Sequence, residues 1–285
     1  MSGCEVIDIQ GPVSLADEPL DRAPDLSSCP PGLRPALKLI LSQLPVVYVF
    51  LVCTQTSTPH LLVVCGPACD RKLAGFEPLV ELALLSCPLS FGLYSYASIR
   101  SLLSAGNPYY SVCCRVNNLI YMKQGFAIPP AGRGANMHML ASAARFEQGM
   151  GRSLAFYENA ASFLSSGQLG MAAFSMHQTC EQSLRILALC VRGREIRSHS
   201  PTVLYRHART FAALDGSFGA VPAEETRMLR LLEEAYSGAR YDEAYTISES
   251  DAFRLFDLCG GLVSRCCEAF TLYIDNWLAK MQFEG

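Results

Sequence analysis

Residues 171–200 read MAAFSMHQTCEQSLRILALCVRGREIRSHS, and this stretch decides the fold of the second half of the chain. Up to Val191 its apolar residues recur at helical spacing with no proline among them, which predicts a helix over 168–191. Gly193 follows at once. A glycine just past a periodic run ends a helix because it alone enters positive φ without strain. His177, Glu181 and Arg185 stand four residues apart, hence on one face of this helix, with Gln178 beside them. Arg194, Arg197 and His199 follow the cap. Polar groups on a core-forming helix, succeeded by a basic loop, predict a site for a phosphate or a nucleotide.

The helical period continues on both sides, over 137–281. One helix is predicted over 138–165, turning at Ser166-Gly167. Pro201 fits the first turn of another, reaching about 213. A third covers 224–236 with Met228, Leu231, Leu232, Ala235 and Tyr236 on one stripe. The last covers 249–280, where Ser248 and Asp251 have the spacing of a capping box with Asp in place of Glu. Long amphipathic helices with short connections make a bundle.

The first half reads differently. Residues 1–35, rich in Pro, Asp and Ser, form a tail; 36–130 form a mixed α/β domain. Strands are predicted at 46–52, 60–65 and 90–96, the second stopped by Gly66-Pro67, with helices at 76–85 and 98–104. Tyr109–Val116 and Leu119–Met122, either side of Asn117-Asn118, predict a closing hairpin. Pro129-Pro130-Ala131-Gly132 is the linker. The fold class is therefore α+β: a sheet domain, then an all-α bundle.

Composition bounds the function. The chain has 285 residues, half of them hydrophobic and only 17% charged, enough for real cores and far from a disordered composition. Its formal net charge of −3 excludes blanket nucleic-acid binding, which needs clustered Lys and Arg. The charge is uneven: residues 185–209 hold six Arg against one Glu, and 224–251 hold eight acids against three Arg. Those two segments attract one another, within the fold or across a dimer. The 13 cysteines show no Cys-x-x-Cys and no zinc spacing, so they read as small hydrophobes kept reduced in a cytoplasmic protein. The start MSGCEVIDIQ is no signal peptide, and the apolar run 46–53 falls well below the roughly 20 residues a membrane span requires.

The helical half resembles the HEPN family, the higher eukaryotes and prokaryotes nucleotide-binding domain, and looks much like its bacterial members. Three pieces carry the resemblance: Ala172 to Glu181 with its His-Gln-x-x-Glu pattern, the Gly193–His199 loop, and Ala239-Arg240-Tyr241-Asp242 before the last helix. The resemblance implies a compact bundle that often dimerises, roles in nucleotide binding or RNA cleavage, and often a neighbouring nucleotidyltransferase-like domain. Such a domain holds two magnesium ions with an Asp-x-Asp pair. Between Ala36 and Gly134 the only acids are Asp70, Glu77 and Glu81, none so spaced, and Pro67 replaces the small hydroxyl residue after Gly66. The sheet domain therefore reads as a degenerate relative without the metal pair. HEPN nucleases place an Arg four to six residues before a His near the start of the final helix. No His follows His207, so Arg240 lacks that partner; Arg194 and His199 have the spacing elsewhere.

The functional expectation is a non-catalytic protein that binds a nucleotide or RNA through His177, Gln178, Glu181, Arg185, Arg194, Arg197, His199, Arg240 and Tyr241, with Tyr241 stacking on a base. No metal and no cofactor is expected. A ribonuclease using Arg194 and His199 is the alternative, and a protein-recruiting module a third class. His177 and Glu181, one turn apart, also read as a buried hydrogen-bonded pair that fixes packing, and Arg240 as the ion-pair partner of Glu181 or a nearby acid. Phe253, Leu272, Ile274 and Trp277 widen the apolar face of the last helix beyond one stripe. Such a helix needs a second buried face, which predicts a homodimer through the helical half.

Overall fold

The computed structural model describes residues 32–283 apart from 55–56, 70–72, 88 and 243. The tail expected over 1–35 lies outside the described residues up to position 31, as does Asp70. Leu33–Pro35 are not tail: they open helix α1 (Leu33–Gln43), whose Leu33, Ala36, Leu37 and Ile40 are buried on the sheet.

Strand β1 (Val46–Thr54) and strand β2 (Ser57–Cys65) form an antiparallel hairpin, pairing Val49 with Val63 and Leu51 with Leu61. After helix α2 (Leu73–Ala83), strand β3 (Ser90–Ser95) joins β2 in parallel, Leu61 opposite Phe91. Strand β4 (Leu119–Met122) closes the other edge against β1, giving the order β3-β2-β1-β4. Both faces are covered, which is why β1 and β2 read as continuous apolar runs rather than alternating ones. Val49, Leu61, Val63 and Cys65 pack under α1 and α2. Tyr48, Phe50, Leu62 and Val64 face helix α3 (Tyr96–Ser104) and helix α4 (Pro108–Cys113).

Helix α4 replaces the first strand of the hairpin expected over 109–122. Asn107 caps it, its side chain accepting from the Tyr110 N–H, and Pro108 supplies the first turn. These start signals outweigh the strand preference of Tyr109, Tyr110 and Val112, and the helix sets the Tyr110 ring edge to face with Tyr94 and Tyr109. Only the second expected strand is present, as β4.

The bundle follows the docked linker, whose Gly132 N–H donates to Leu103. Its helices are α5 (Ala135–Ser165), α6 (Leu169–Arg192), α7 (Pro201–Ala208), α8 (Pro222–Tyr241) and α9 (Glu249–Phe283). α7 ends five residues before the expected position, and α8 runs through Tyr241 rather than stopping at 236. α6 is the central rod, packed by α5, α7, α8 and α9 and buried around most of its circumference. Its approach to α5 is close enough that a Cβ on Gly149 would lie 2.3 Å from Ile186 Cγ1. Asp251 N–H donates to Ser248 Oγ at the start of α9, as the capping spacing predicts, while the Asp251 carboxylate turns to Arg227. The basic and acidic segments do meet within the fold, through Arg209 and Glu225 at 3.2 Å.

Candidate functional site

Because α6 is buried nearly all round, its polar stripe must be satisfied from inside the protein. Glu181 is 2% exposed, and its Oε1 accepts from Arg185 Nη1 at 2.9 Å and from His199 Nδ1 at 3.1 Å. Gly193 makes this possible. At φ 64° it ends α6 in the left-handed conformation and turns the chain back, so that His199 lies over Glu181. Two further contacts hold the returning loop: His177 Nε2 donates to the His199 carbonyl at 2.9 Å, and Ser200 both caps α7 and donates to Glu233.

Hydrogen-bond roles fix the tautomers. A carbonyl only accepts, so His177 carries its proton on Nε2, and its Nδ1 accepts from Gln178 Nε2 at 3.1 Å. His177 is fully buried, and burial holds its pKa below the usual range against the opposing pull of Glu181. His177 and Glu181 do not form the hydrogen-bonded pair that their spacing suggests: the His177 Nδ1 lone pair is engaged by Gln178, and Glu181 Oε2 stands 4.0 Å away. Among the described residues no three His, Cys, Asp or Glu side chains are grouped to hold a metal. His199 differs: its Nδ1 faces the carboxylate, its side chain is 65% exposed, and its Nε2 makes no hydrogen bond among the described residues.

An aromatic and cationic ladder extends from His199 along α8. The imidazole stacks on Tyr236 at 5.5 Å between centroids and 15° between planes. The Arg240 guanidinium lies 4.2 Å from the Tyr236 ring, 4.8 Å from Tyr241 and 5.4 Å from Phe174, and its Nε donates to the Tyr236 carbonyl. Arg240 is therefore not the partner of Glu181; Arg185 takes that place and also clasps Glu195. Arg197 is exposed and has no partner among the described residues. Tyr241 is 78% exposed.

The structure thus brings together His177, Gln178, Glu181, Arg185 and His199, with Arg240 and Tyr241 joined to them through Tyr236. Arg194 stands apart. Its Nη1 donates to the Leu93 carbonyl at 3.3 Å and it lies over Tyr94, on the sheet domain. Tyr236 is the residue that sequence reasoning assigned to the core stripe of α8. It stands four residues before Arg240, the spacing that places both on one helix face.

The family model of the HEPN domain matches residues 147–269. None of the curated proteins matches the chain. One similar solved structure is described as the crystal structure of an archaeal HEPN homologue; it is 20% identical, covers 44% of this chain and 97% of that one, and has a TM-score of 0.32. The HEPN match starts within α5, ends within α9, and so contains the whole Glu181–His199–Tyr236–Arg240 cluster: this C-terminal half carries the family resemblance.

Proposed function

We propose that the helical half binds a nucleotide or an RNA segment at the His199–Tyr236–Arg240 surface, without transforming it. The observation that carries this reading is the pair of exposed cations without a carboxylate partner among the described residues, Arg197 and Arg240, beside a histidine whose Nε2 has no hydrogen bond among those residues and an exposed Tyr241 ring. Guanidinium and imidazole groups suit phosphate oxygens, and the open tyrosine face suits a base. Titration of the full chain with ATP, 5′-AMP and a 5′-phosphorylated hexanucleotide RNA tests it. Binding should weaken about tenfold or more in His199→Ala and Arg240→Ala, the loss expected when a charge-assisted bond is removed. No binding at millimolar nucleotide overturns the reading.

One observation favours a second reading. A buried carboxylate on Nδ1 is how a general acid/base histidine is oriented, leaving Nε2 for a substrate proton. The family's Arg–His nuclease spacing falls on Arg194, whose contacts with Leu93 and Tyr94 support binding over cleavage. Incubation with tRNA and total RNA separates the two: a ribonuclease cuts RNA and loses that cleavage in His199→Ala.

Self-association is part of the same proposal. The start of α5 lies beside the end of α9, where Trp277 Nε1 reaches Asn136 Oδ1, and Met137, Leu140, Leu272 and Leu278 are all exposed there. Phe253 is exposed as well, whereas Ile274 packs on the bundle core. Light scattering at micromolar concentration should give twice the 31.1 kDa chain mass; a monomer rejects the dimer. Among the described residues no helix is long and apolar enough to cross a membrane.

A further inference from the structure

The last turn of α6 points away from the proposed site and into the sheet domain. Arg192 is buried there. Its Nη2 donates to His60 Nε2 at 2.9 Å and to the Tyr94 hydroxyl, its Nη1 to Thr210 Oγ1 at 3.2 Å, and the rings of Tyr94, Tyr109 and Phe211 surround it at 5.3 to 5.7 Å. Since Arg192 donates to Nε2, the His60 proton sits on Nδ1, where it faces Ser90 Oγ at 2.9 Å. No carboxylate contacts this guanidinium among the described residues, so its charge is held by π faces and neutral acceptors alone.

The neighbouring residues are tied to the same domain. Asn107, the α4 cap, extends Nδ2 to the Val191 carbonyl at 3.5 Å, one of the carbonyls that the end of a helix leaves open. A Cβ on Gly193 would lie 2.9 Å from Asn107 Nδ2 and 3.0 Å from Leu102 Cδ2. Arg194 takes the Leu93 carbonyl. The loop from there to Ser200 has no regular structure and one internal backbone bond, Ser198 to Ile196. Its course is set by its anchors. Residues 192–194 are anchored on β2, β3 and α4, and the next residue, Glu195, is clasped by Arg185, which shares Glu181 with His199.

We infer that the sheet domain sets the position of His199, with Arg192 and Arg194 as positioning residues that fix the start of its loop. The ligand-binding consequence rests on the function proposed above; the placement of the ring does not. Accordingly the test reads both. In the full-length protein with 15N-labelled histidine, the His199 ring resonances report its contact with Glu181, and Glu181→Gln supplies the spectrum of the ring without the carboxylate charge. Arg194→Ala removes one exposed tether and Arg192→Met removes the cage cation, with Arg192→Lys as the conservative rescue.

The His199 signals should move toward the Glu181→Gln spectrum in Arg194→Ala with the melting temperature unchanged. They should move further in Arg192→Met and return in Arg192→Lys. Affinity for 5′-AMP should fall in the same order, by about tenfold at most, the size of an ordinary coupling through packed side chains. Wild-type ring resonances in Arg194→Ala, and in Arg192→Met where it folds, overturn the inference and leave the sheet domain as packing alone. If the wild-type protein binds neither 5′-AMP nor RNA, the proposed ligand fails, while the ring resonances still decide the positioning role.

Discussion

At the scale of single residues, Glu181 organises the site. A carboxylate 2% exposed must be compensated, and here one oxygen serves both Arg185 and His199 while the other has no hydrogen bond among the described residues. Removing a partner from a buried ion pair is costly because the remaining charge is stranded. In Glu181→Gln the stranded group is Arg185, 24% exposed and still bonded to Glu195, so solvent softens the loss. Urea unfolding should show Glu181→Gln destabilised by about 2 kcal/mol; an unchanged midpoint means that Arg185 and Glu195 alone hold the loop. The four-residue spacing and the glycine after it make His177, Gln178, Glu181, Arg185 and His199 legible as a cluster in the sequence alone. The direction of Arg194 is not legible there, because it depends on which carbonyl of β3 lies opposite the loop. Nor is the partner of Arg240, which among the described residues lies against three rings and no acid.

At the scale of elements, the sequence is most readable where one period runs uninterrupted. β1, β2 and β3 fall where β-branched and aromatic runs meet Gly and Pro, and α5, α6 and α9 where apolar residues keep helical spacing over many turns. It misleads at 109–116, where strand-forming side chains sit behind an Asn-Pro helix start, and at the end of α8, where the Ala-Arg-Tyr segment continues the helix. Helix contacts through small residues leave almost no mark in a hydropathy pattern. Gly149 is such a contact: it lets α5 approach α6, and a methyl there would meet the Cγ1, Cδ1 and Cβ atoms of Ile186. Neither helix can yield without disturbing α6, whose other sides are packed by α7, α8 and α9. Gly149→Ala should therefore cost about 2 kcal/mol despite the better helix propensity of alanine. Gly151→Ala, two residues away with nothing within 4 Å, is the control. Thermal unfolding should lower the first and leave the second unchanged or raised, and equal effects exclude the close approach as the cause.

At the scale of the whole molecule, the sheet and the bundle meet around a cation and two histidines. His60 on β2 and His207 on α7 both face Arg192, with Tyr94, Tyr109 and Tyr110 closing the cluster and Arg194 and Arg206 adding positive charge near His207. Burial first, then the Arg192 charge, hold His60 well below the ordinary histidine range and His207 down at about 4. Both rings are therefore neutral in the folded protein at pH 7, as His60 must be to accept from Arg192. In the unfolded chain they take up protons near pH 6.5. The unfolded state thus binds more protons between pH 6.5 and 4, and stability falls as pH falls through that window, while above pH 7 these groups leave it flat. Between pH 7 and 5, where most carboxylates stay ionised, His207 alone should account for a loss of about 2 kcal/mol. Urea unfolding of the wild-type protein at pH 7, 6 and 5 should show that decline, and His207→Gln should flatten it by about that amount whatever its stability at pH 7. An identical slope in His207→Gln would mean that the ring accepts its proton without leaving the interface, and that the Arg192 cluster does not couple proton uptake to the joining of the two halves.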